Sequence, residues 1–300
     1  MSLYSSKVVA KQEVSADLIP CEGYDVNNDS YRVSLPDSGL CRDSFYIEKL
    51  LSPSETQHLI NCVEKAGLDF WDPNSVETDS FRRAYTLEVS HERLASIIWS
   101  RVKDLVVPVV DISPEDTQRH EIDIEGNWKA VGINPKMLFS RYLEGGHFAP
   151  HTDGCTIVDI NERSLFSCVV YLNDCEQGGQ TRLYSNEQID YALEKDSEGR
   201  LTGRSEFVIH EVSPVNGRML AFYHTQMHEG VPASCKYIIR TDVMYRRETP
   251  ICTEPNDIEA FDLYMQAQHL AEYGENERAV VLFRKAFKMS PNLSKLYRMG

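Results

Sequence analysis

The chain lacks any run of apolar residues that could cross a bilayer, for which about 20 in succession are needed. Residues 1–13 contain lysines but no apolar segment of the kind that a secretory signal requires. These two absences predict a protein that neither spans a membrane nor is secreted. We therefore expect a cytoplasmic protein, with the nucleus as the alternative compartment.

The sequence also lacks a CxxC pair, although it contains eight cysteines. They stand at positions 21, 41, 62, 155, 168, 175, 235 and 252. Zinc sites built from cysteine use closely spaced pairs, so this scatter argues against that class of site. Without a secretory signal, we expect the cysteines to be reduced thiols.

Positive charge is in the minority, because 31 lysines and arginines stand against 46 aspartates and glutamates, for a net charge of −15. Binding that is dominated by nucleic-acid phosphates needs a basic face. The charge balance therefore predicts no nucleic-acid partner. Apolar residues make up 42% of the chain and charged residues 26%, which is typical of a globular protein with a sizeable core.

The chain divides by pattern into three parts. Residues 1–42 are polar without sustained periodicity, so we expect a leader that is flexible or loosely docked. Residues 43–250 are predicted to form the main domain, with its core at 135–247. Residues 257–300 are predicted to form a helical hairpin, with a break at Gly274 and spacings that resemble one tetratricopeptide repeat. A single repeat cannot bury its own apolar face, so we expect the hairpin to dock on the main domain or to bind a partner protein.

Helical patterns come first in the main domain. Ser52-Pro53-Ser54-Glu55 is a capping box with proline in the first turn, which predicts a helix to about Lys65. A second amphipathic helix is predicted from about His91 to Leu105.

Short strand-like runs follow. They cover 137–142, 164–172, 181–184, 206–212, 218–223 and 235–245. Turn signals rich in glycine and asparagine separate them, as in a sandwich or barrel. Helices followed by strands predict an α+β fold, in which supporting helices pack on a double-stranded β-helix, or jelly roll. The polar segment 186–205 interrupts the pattern, and we expect an insertion loop there.

His151, Asp153 and the later His228 form a candidate metal site. Alternate residues of a strand share a face, so His151 and Asp153 can point towards one ion. His228 would come from another strand, and the apolar run 219–223 before it is predicted to be a buried strand that ends at the site. Two imidazoles and one carboxylate, without a fourth ligand, suit Fe(II) with positions left open for substrate and oxygen. A zinc module is the alternative, but it needs a fourth ligand that the sequence does not supply.

Further motifs surround these residues in a fixed order. They are Arg141-Tyr142, Pro150-His151-Thr152-Asp153-Gly154, Tyr171-Leu172-Asn173, Gly178-Gly179-Gln180-Thr181, Gly217-Arg218-Met219-Leu220-Ala221-Phe222, His228-Glu229-Gly230-Val231-Pro232 and Lys236-Tyr237. Together they resemble the catalytic domain of the 2-oxoglutarate- and Fe(II)-dependent dioxygenases, and specifically its prolyl-4-hydroxylase-like members. The resemblance covers 135–247 and extends more loosely to the helices from residue 43.

The resemblance implies that His151, Asp153 and His228 bind Fe(II), with no catalytic residue beyond this metal site. It also implies a basic residue that holds the C5 carboxylate of the co-substrate 2-oxoglutarate, since a buried anion needs a cationic partner. Lys236 and Arg240 are four apart on one strand face, and both qualify. Lys236 follows His228 by eight positions and Arg240 by twelve, and neither is the family's usual spacing. Lys236 is favoured because an aromatic residue follows it, but the choice stays open. The alternatives for Arg240 are an ion pair with Asp242 or a contact with the substrate.

Three further residues are implied at the co-substrate. Tyr171 matches a tyrosine whose hydroxyl helps to hold the carboxylate, Tyr142 matches an aromatic residue near the iron, and Thr181 lines the same pocket. The alternative for each tyrosine is packing in the core with a satisfied hydroxyl. The other histidines considered, which are expected to be structural or exposed, are His147, His210 and His224.

The implied reaction is hydroxylation of a protein side chain, with a prolyl residue as the expected target and with succinate and CO2 as co-products. Oxygen is the second co-substrate, and ascorbate is implied as a reductant. A peptide or protein substrate is therefore the expected partner. The segments 71–83 and 186–205 are expected to select it, because long loops often carry binding residues. The alternative is a catalytically idle jelly-roll scaffold that binds partners through its C-terminal helix pair.

Overall fold

The computed structural model describes residues 14–25, 29–36, 43–72, 80–116 and 121–299. The helices are α1 (Pro53–Ala66), α2 (Glu92–Val102), α3 (Pro255–Glu272), α4 (Asn276–Met289) and α5 (Pro291–Leu296). The strands are β1 (Tyr31–Ser34), β2 (Phe45–Glu48), β3 (Asp69–Phe70), β4 (Tyr85–Ser90), β5 (Val109–Ile112), β6 (Gly126–Ile133), β7 (Lys136–Tyr142), β8 (Gly146–His151), β9 (Ile157–Asp159), β10 (Glu162–Tyr171), β11 (Thr181–Tyr184), β12 (Glu194–Lys195), β13 (Leu201–Thr202), β14 (Val208–Val212), β15 (Met219–Tyr223), β16 (His228–Ala233) and β17 (Lys236–Arg247).

The elements that the sequence predicts are present, with shifted ends. The two predicted helices correspond to α1 and α2, and the predicted strand runs correspond to β7, β10, β11, β14, β15 and β17. The sequence pattern does not predict β5, β6, β8 or β16. Within the described ranges, no helix is both long enough and apolar enough to cross a membrane.

The described residues fall into two compact units. The first lies within Met1–Val106, Gly132–Gly154 and Leu165–Val243, and the second within Val107–Val131, Cys155–Ser164 and Met244–Gly300. This division differs from the predicted domains at 43–250 and 257–300. The reason is that β6, β10 and β17 each run from one unit into the other, so neither unit is a single stretch of sequence.

The first unit contains two largely antiparallel sheets. The larger has the strand order β1-β2-β15-β10-β17-β7-β4-β3, and the smaller has the order β14-β11-β16-β8. Ala221 of β15 pairs with Cys168 of β10, and Leu183 of β11 pairs with His228 of β16. Buried side chains of both sheets, including Leu183 and Phe222, pack in one core cluster. This is the predicted double-stranded β-helix, with α1 and α2 in the same unit.

The capping box that begins α1 is present. The Ser52 hydroxyl accepts the Glu55 N–H at 3.3 Å, and Glu55 Oε2 accepts the Ser52 N–H at 2.7 Å. Leu59 and Val63 bury the apolar stripe of the helix, and Gly67 ends it with a φ of 90°. Glycine adopts this backbone conformation without the steric conflict that a Cβ would create.

Of the two alternatives for the leader over 1–42, the described parts are docked rather than flexible. Ile19 and Cys21 are buried, and the imidazole of His91 bonds to the Ile19 carbonyl. Further along, β1 pairs with β2 and extends the larger sheet. Scattered apolar residues are enough to dock a short segment even where no periodicity is visible. The leader's remaining residues, 1–13, 26–28 and 37–42, lie outside the described ranges.

The second unit contains the β5–β6 pair, β9 and the three C-terminal helices. The helices pack around the buried side chains of Ala260, Phe261, Ala286 and Leu293. The predicted helical hairpin is thus present as α3 and α4, while α5 is a third, short helix that the sequence pattern does not separate. The resemblance to a tetratricopeptide repeat stays a prediction.

Candidate metal centre

A cavity of about 260 Å³ opens between the two sheets of the first unit. Leu138, Ser140 and Ile238 line it from the larger sheet, and Thr181 and Gly230 line it from the smaller one. Leu138 and Ser140 share a face of β7 because alternate side chains of a strand point the same way. Residues of both sheets therefore face the same cavity.

The three predicted metal ligands meet in this cavity. His151 ends β8 and His228 begins β16, and the two residues are direct partners across the pair of strands. One carboxylate oxygen of Asp153, Oδ1, lies 3.8 Å from His151 Nε2, and the other, Oδ2, lies 3.8 Å from His228 Nε2. One ligand atom from each residue lies within 4.8 Å of the other two. Among the described residues, no fourth histidine, cysteine or carboxylate joins the group, as the alternative zinc module would require.

His228 lies on a different strand from His151, since it begins β16, which follows the apolar strand β15. One detail of the predicted local structure is wrong. Asp153 lies two residues beyond the end of β8, so strand alternation does not place it. Its position is fixed instead by a hydrogen bond from its N–H to the His224 carbonyl at 3.1 Å.

Both imidazoles present the nitrogen that a metal needs. The Nδ1 atom of His151 lies 2.7 Å from the Ala149 carbonyl, and that of His228 lies 3.0 Å from the Gln226 carbonyl. A carbonyl only accepts, so each Nδ1 carries the proton and each Nε2 keeps its lone pair free. Aromatic rings hold both imidazoles in place, since Phe148 stacks on His151 at 3.6 Å between ring centroids.

The charge states of the three side chains also suit a divalent cation. Burial, together with the neighbouring His228, lowers the pKa of His151 to about 3, and burial lowers the pKa of His228. Burial alone would raise the pKa of Asp153, but Arg240 and the two histidines hold it well below its usual range. Asp153 Oδ2 is buried without a hydrogen bond. Two neutral imidazoles and one ionised carboxylate are a donor set that fits Fe(II).

Lys236 lines the same cavity and is almost fully buried. Its Nζ donates to the Gly179 carbonyl at 2.9 Å and lies 4.7 Å from the centre of the Tyr142 ring. Burial lowers the pKa of Lys236 to about 8. No ion pair joins it to a carboxylate of the described residues, so this buried cation can accept an anionic ligand.

Arg240 differs from Lys236 in having carboxylate partners. Its guanidinium forms an ion pair with Asp242, and its Nη2 lies 3.4 Å from Asp153 Oδ2. The charge that could anchor a co-substrate is therefore already matched by two carboxylates. The structure thus distinguishes Lys236 from Arg240, which the spacing from His228 does not.

The other predicted co-substrate residues occupy different places. Tyr142 and Thr181 line the cavity. Tyr171 is fully buried behind Thr181, to whose Oγ1 its hydroxyl donates at 2.7 Å. Tyr171 can therefore orient the threonine, but it is not among the described residues that line the cavity. Burial raises the pKa of both tyrosines, which stay protonated.

The three histidines expected to lie outside the site make other hydrogen bonds. His147 bonds to the Gly145 and Ser80 carbonyls, His224 to the Ser167 hydroxyl at 2.8 Å, and His210 to the Pro36 carbonyl at 3.1 Å. These contacts give each ring a structural partner. None of the three belongs to the metal-ligating group.

Arg82 lines the cavity, and the sequence does not single it out. Its guanidinium lies 4.4 Å from the centre of the Phe148 ring and 5.4 Å from that of Trp71. The only sequence signal is the presence of two arginines at the end of the segment 71–83. Of that segment, 73–79 lies outside the described residues.

The segment 186–205 is not the plain insertion loop that its polarity predicts. It contains the β12–β13 hairpin, whose turn forms where Asp196 Oδ1 accepts the N–H groups of Glu198 and Arg200, both at 2.9 Å. The hairpin is anchored beside the site, because the Thr202 hydroxyl donates at 2.8 Å to Glu229, the residue after His228. Local turn chemistry thus orders a segment that lacks an apolar pattern.

Comparison with known families identifies the domain. Residues 137–242 match the family model of the 2OG-Fe(II) oxygenase superfamily. The match contains all three candidate metal ligands together with Lys236 and Arg240. The chain thus carries a 2OG-Fe(II) oxygenase domain and is a 2-oxoglutarate-dependent dioxygenase. Fe(II) and 2-oxoglutarate are the cofactor and co-substrate of this class.

Solved structures with some likeness to the chain are distant in sequence. The viral collagen prolyl hydroxylase of Paramecium bursaria Chlorella virus-1 is 16% identical, with a TM-score of 0.40 over 68% of this chain and 97% of that one. A Pseudomonas putida prolyl-4-hydroxylase is 16% identical, with a TM-score of 0.39 over 69% and 94%. A Trichoplax adhaerens prolyl hydroxylase, solved with a hypoxia-inducible-factor peptide fragment, is 17% identical, with a TM-score of 0.41 over 69% and 84%. No curated protein matches the chain.

Proposed function

We propose that the protein hydroxylates a prolyl side chain of a peptide or protein, with iron held by His151, Asp153 and His228 and with 2-oxoglutarate anchored by Lys236. One observation supports this proposal above all. One ligand atom from each of the three residues lies within 4.8 Å of the other two, in a cavity that is also lined by the buried Lys236. One oxygen atom of O2 would enter succinate, with loss of CO2, and the other would enter the substrate. The intact triad argues against an idle scaffold.

The iron, when bound, supplies the activation of oxygen that protein side chains cannot perform. The chain's own residues prepare the site for it. The Ala149 and Gln226 carbonyls fix the two imidazoles so that each Nε2 is a ligand. The side chains of Leu138, Val169 and Ile238 line the cavity and limit the access of water.

Lys236 is the better anchor for the C5 carboxylate because it is a buried cation without a carboxylate partner among the described residues. An anion in this cavity would offset the cost of burying the ammonium group. The Tyr142 ring lies beside the ammonium group and would pack against one side of the bound carboxylate. Thr181, oriented by the Tyr171 hydroxyl, would offer its own hydroxyl to the same ligand.

The choice of a prolyl target is supported by the motif set from Arg141 to Tyr237, which resembles the prolyl-4-hydroxylase-like domains. The partly apolar walls of the cavity are compatible with a neutral ring. Ascorbate as a reductant and a cytoplasmic or nuclear location belong to the same proposal. Partner binding by the C-terminal helices is a separate proposal that does not affect the chemistry.

The test is an assay with Fe(II), 2-oxoglutarate and a panel of proline-containing peptides. We expect peptide-dependent succinate release and a mass gain of one oxygen atom on a proline. A matched panel with alanine at each proline position is the control. Succinate release that is stimulated equally by both panels, with oxygen on another side chain, would overturn the prolyl assignment while leaving the reaction class intact.

The β12–β13 hairpin is predicted to select the substrate. Glu194 pairs directly with Thr202, so a two-residue Asn-Gly turn can replace 195–201 without altering the anchor at Glu229. We expect this variant to change the relative turnover of different peptides but not the slow succinate release without peptide. Lys195→Ala, which keeps the hairpin, is the control. Unchanged peptide preference in the shortened variant would contradict the prediction.

A further inference from the structure

We propose that Arg240 is a positioning residue that holds the Asp153 carboxylate in the orientation a metal needs, rather than a ligand of the co-substrate. The inference rests on the proposed metal site. It concerns Asp153 because this ligand lies beyond the end of β8, where no strand pairing holds it. A side chain that fixes a ligand in this way controls the affinity of the site for metal.

The guanidinium of Arg240 links the segment that follows β8 to the larger sheet. Its Nη2 lies 3.4 Å from Asp153 Oδ2 and donates to the Gly154 carbonyl at 3.3 Å. The same nitrogen donates to the Ser167 hydroxyl of β10 at 3.2 Å. Arg240 therefore contacts both the side chain of Asp153 and the backbone of the residue that follows it.

The other side of the guanidinium is fixed by a buried carboxylate. Arg240 Nη1 donates to Asp242 Oδ1, and Asp242 is fully buried. Asn134 Nδ2 donates to the second oxygen, Oδ2, at 2.8 Å. Asn134 is itself held, because its Oδ1 accepts the Lys136 N–H at 3.0 Å and its carbonyl accepts the Thr241 hydroxyl at 2.7 Å. The cation thus has little freedom to swing towards another ligand.

The charges explain why an arginine suits this place. Asp153 and Asp242 are two buried carboxylates, and one guanidinium placed between them offsets part of their burial. The planar fork lets separate nitrogens address the two carboxylates at once, which a lysine cannot do. Arg240 therefore links the two carboxylates and holds Asp153 in place.

The decisive experiment measures Co(II) binding under anaerobic conditions by its visible absorption. Arg240→Met alone would leave Asp242 buried without its cation, so the main test is the double variant Arg240→Met with Asp242→Asn. We expect its Co(II) affinity to fall by about 10- to 100-fold, as for other residues that orient metal ligands. Arg240→Lys should fall between this variant and wild type, because lysine keeps the charge but lacks the planar fork whose separate nitrogens reach the two carboxylates.

A matched pair elsewhere in the first unit provides the control. Arg218 and Glu48 form an ion pair whose side chains are exposed to 14% and 17%, and the pair does not line the cavity. Arg218→Met with Glu48→Gln should leave Co(II) affinity unchanged. Thermal unfolding without metal reports whether either double variant has lost its fold. If the Arg240→Met double variant does not fold, Arg240→Lys carries the test.

Two results would overturn the proposal. One is unchanged Co(II) affinity in the folded Arg240 variants, and the other is a loss of 2-oxoglutarate binding at saturating Co(II), which would make Arg240 the co-substrate ligand. Failure of the proposed function gives a different result, because Co(II) would then bind His151→Ala as tightly as wild type. In that case the metal lies elsewhere, whatever the Arg240 variants do.

Discussion

His151→Ala is expected to abolish the formation of succinate from 2-oxoglutarate and to leave the fold intact. Residues that merely orient a metal ligand contribute about 10- to 100-fold, so removing a ligand should lower turnover by more than about 100-fold. Asp153→Ala should do the same. Folding should survive both changes, because neither side chain belongs to the main apolar core and His151 is neutral in the free protein.

The measurements are succinate release and the visible absorption that appears when Fe(II) and 2-oxoglutarate are added without oxygen. Both signals should disappear in the two variants. His210→Ala is the matched control, since its ring bonds to the Pro36 carbonyl and does not line the cavity. Wild-type turnover in His151→Ala would show that the triad is not the metal site.

The sequence predicts the central strands β15, β10, β17 and β7 of the larger sheet but misses β8 and β16 of the smaller one, and the reason is visible in the strands. β7, β10 and β17 are rich in apolar and aromatic residues, which strands favour. β8 and β16 contain Gly146, Pro150, Gly230 and Pro232, which are typical of turns. These segments nevertheless pair as strands. Pro150 is tolerated because β8 is an edge strand, and Pro232 is tolerated because the register of β16 shifts between Gly230 and Ala233.

The triad itself is predictable because its residue types and order carry chemical information. Its geometry is only half predictable. Strand alternation suggests that His151 and Asp153 share a face, but Asp153 lies in the segment after the strand, held by the His224 carbonyl. His224 stands far from Asp153 in sequence, so no local pattern reveals this hydrogen bond.

The choice between Lys236 and Arg240 shows the same limit. Both residues project from one face of β17, and spacing from His228 cannot separate them. What separates them is the position of two carboxylates, since Asp153 and Asp242 lie beside Arg240 and not beside Lys236. The pair with Asp242 lies within one strand, and the sequence offers it as an alternative. The pair with Asp153 joins distant segments, so it depends on the folded structure and no local pattern reveals it.

Lys236→Met is expected to raise the concentration of 2-oxoglutarate needed for half-maximal turnover by at least about 30-fold. Loss of one partner of a buried, hydrogen-bonded charge pair weakens binding by about 2–5 kcal/mol, because the remaining carboxylate is left buried without a cation. Methionine keeps much of the apolar stem of lysine, so the cavity should not collapse. Titration of succinate release against 2-oxoglutarate measures the change.

The pH dependence gives an independent check on the same residue. Burial lowers the pKa of Lys236 to about 8, so the free protein loses this cation as the pH rises through 8. Only the protonated form attracts a carboxylate, so the KM for 2-oxoglutarate should be lowest below pH 8 and should increase above it. Lys236→Arg should remove this increase, because a guanidinium keeps its charge up to a pH above about 12.

Lys136→Met is the control for both measurements, since Lys136 is exposed at the start of β7 and does not line the cavity. It should leave both the KM and its pH profile unchanged. An unchanged KM in Lys236→Met would exclude this lysine as the anchor. Our assignment predicts that Arg240 variants weaken metal binding and that Lys236 variants weaken 2-oxoglutarate binding. If Arg240→Lys instead raised the KM for 2-oxoglutarate at saturating metal, Arg240 would be the anchor of the co-substrate.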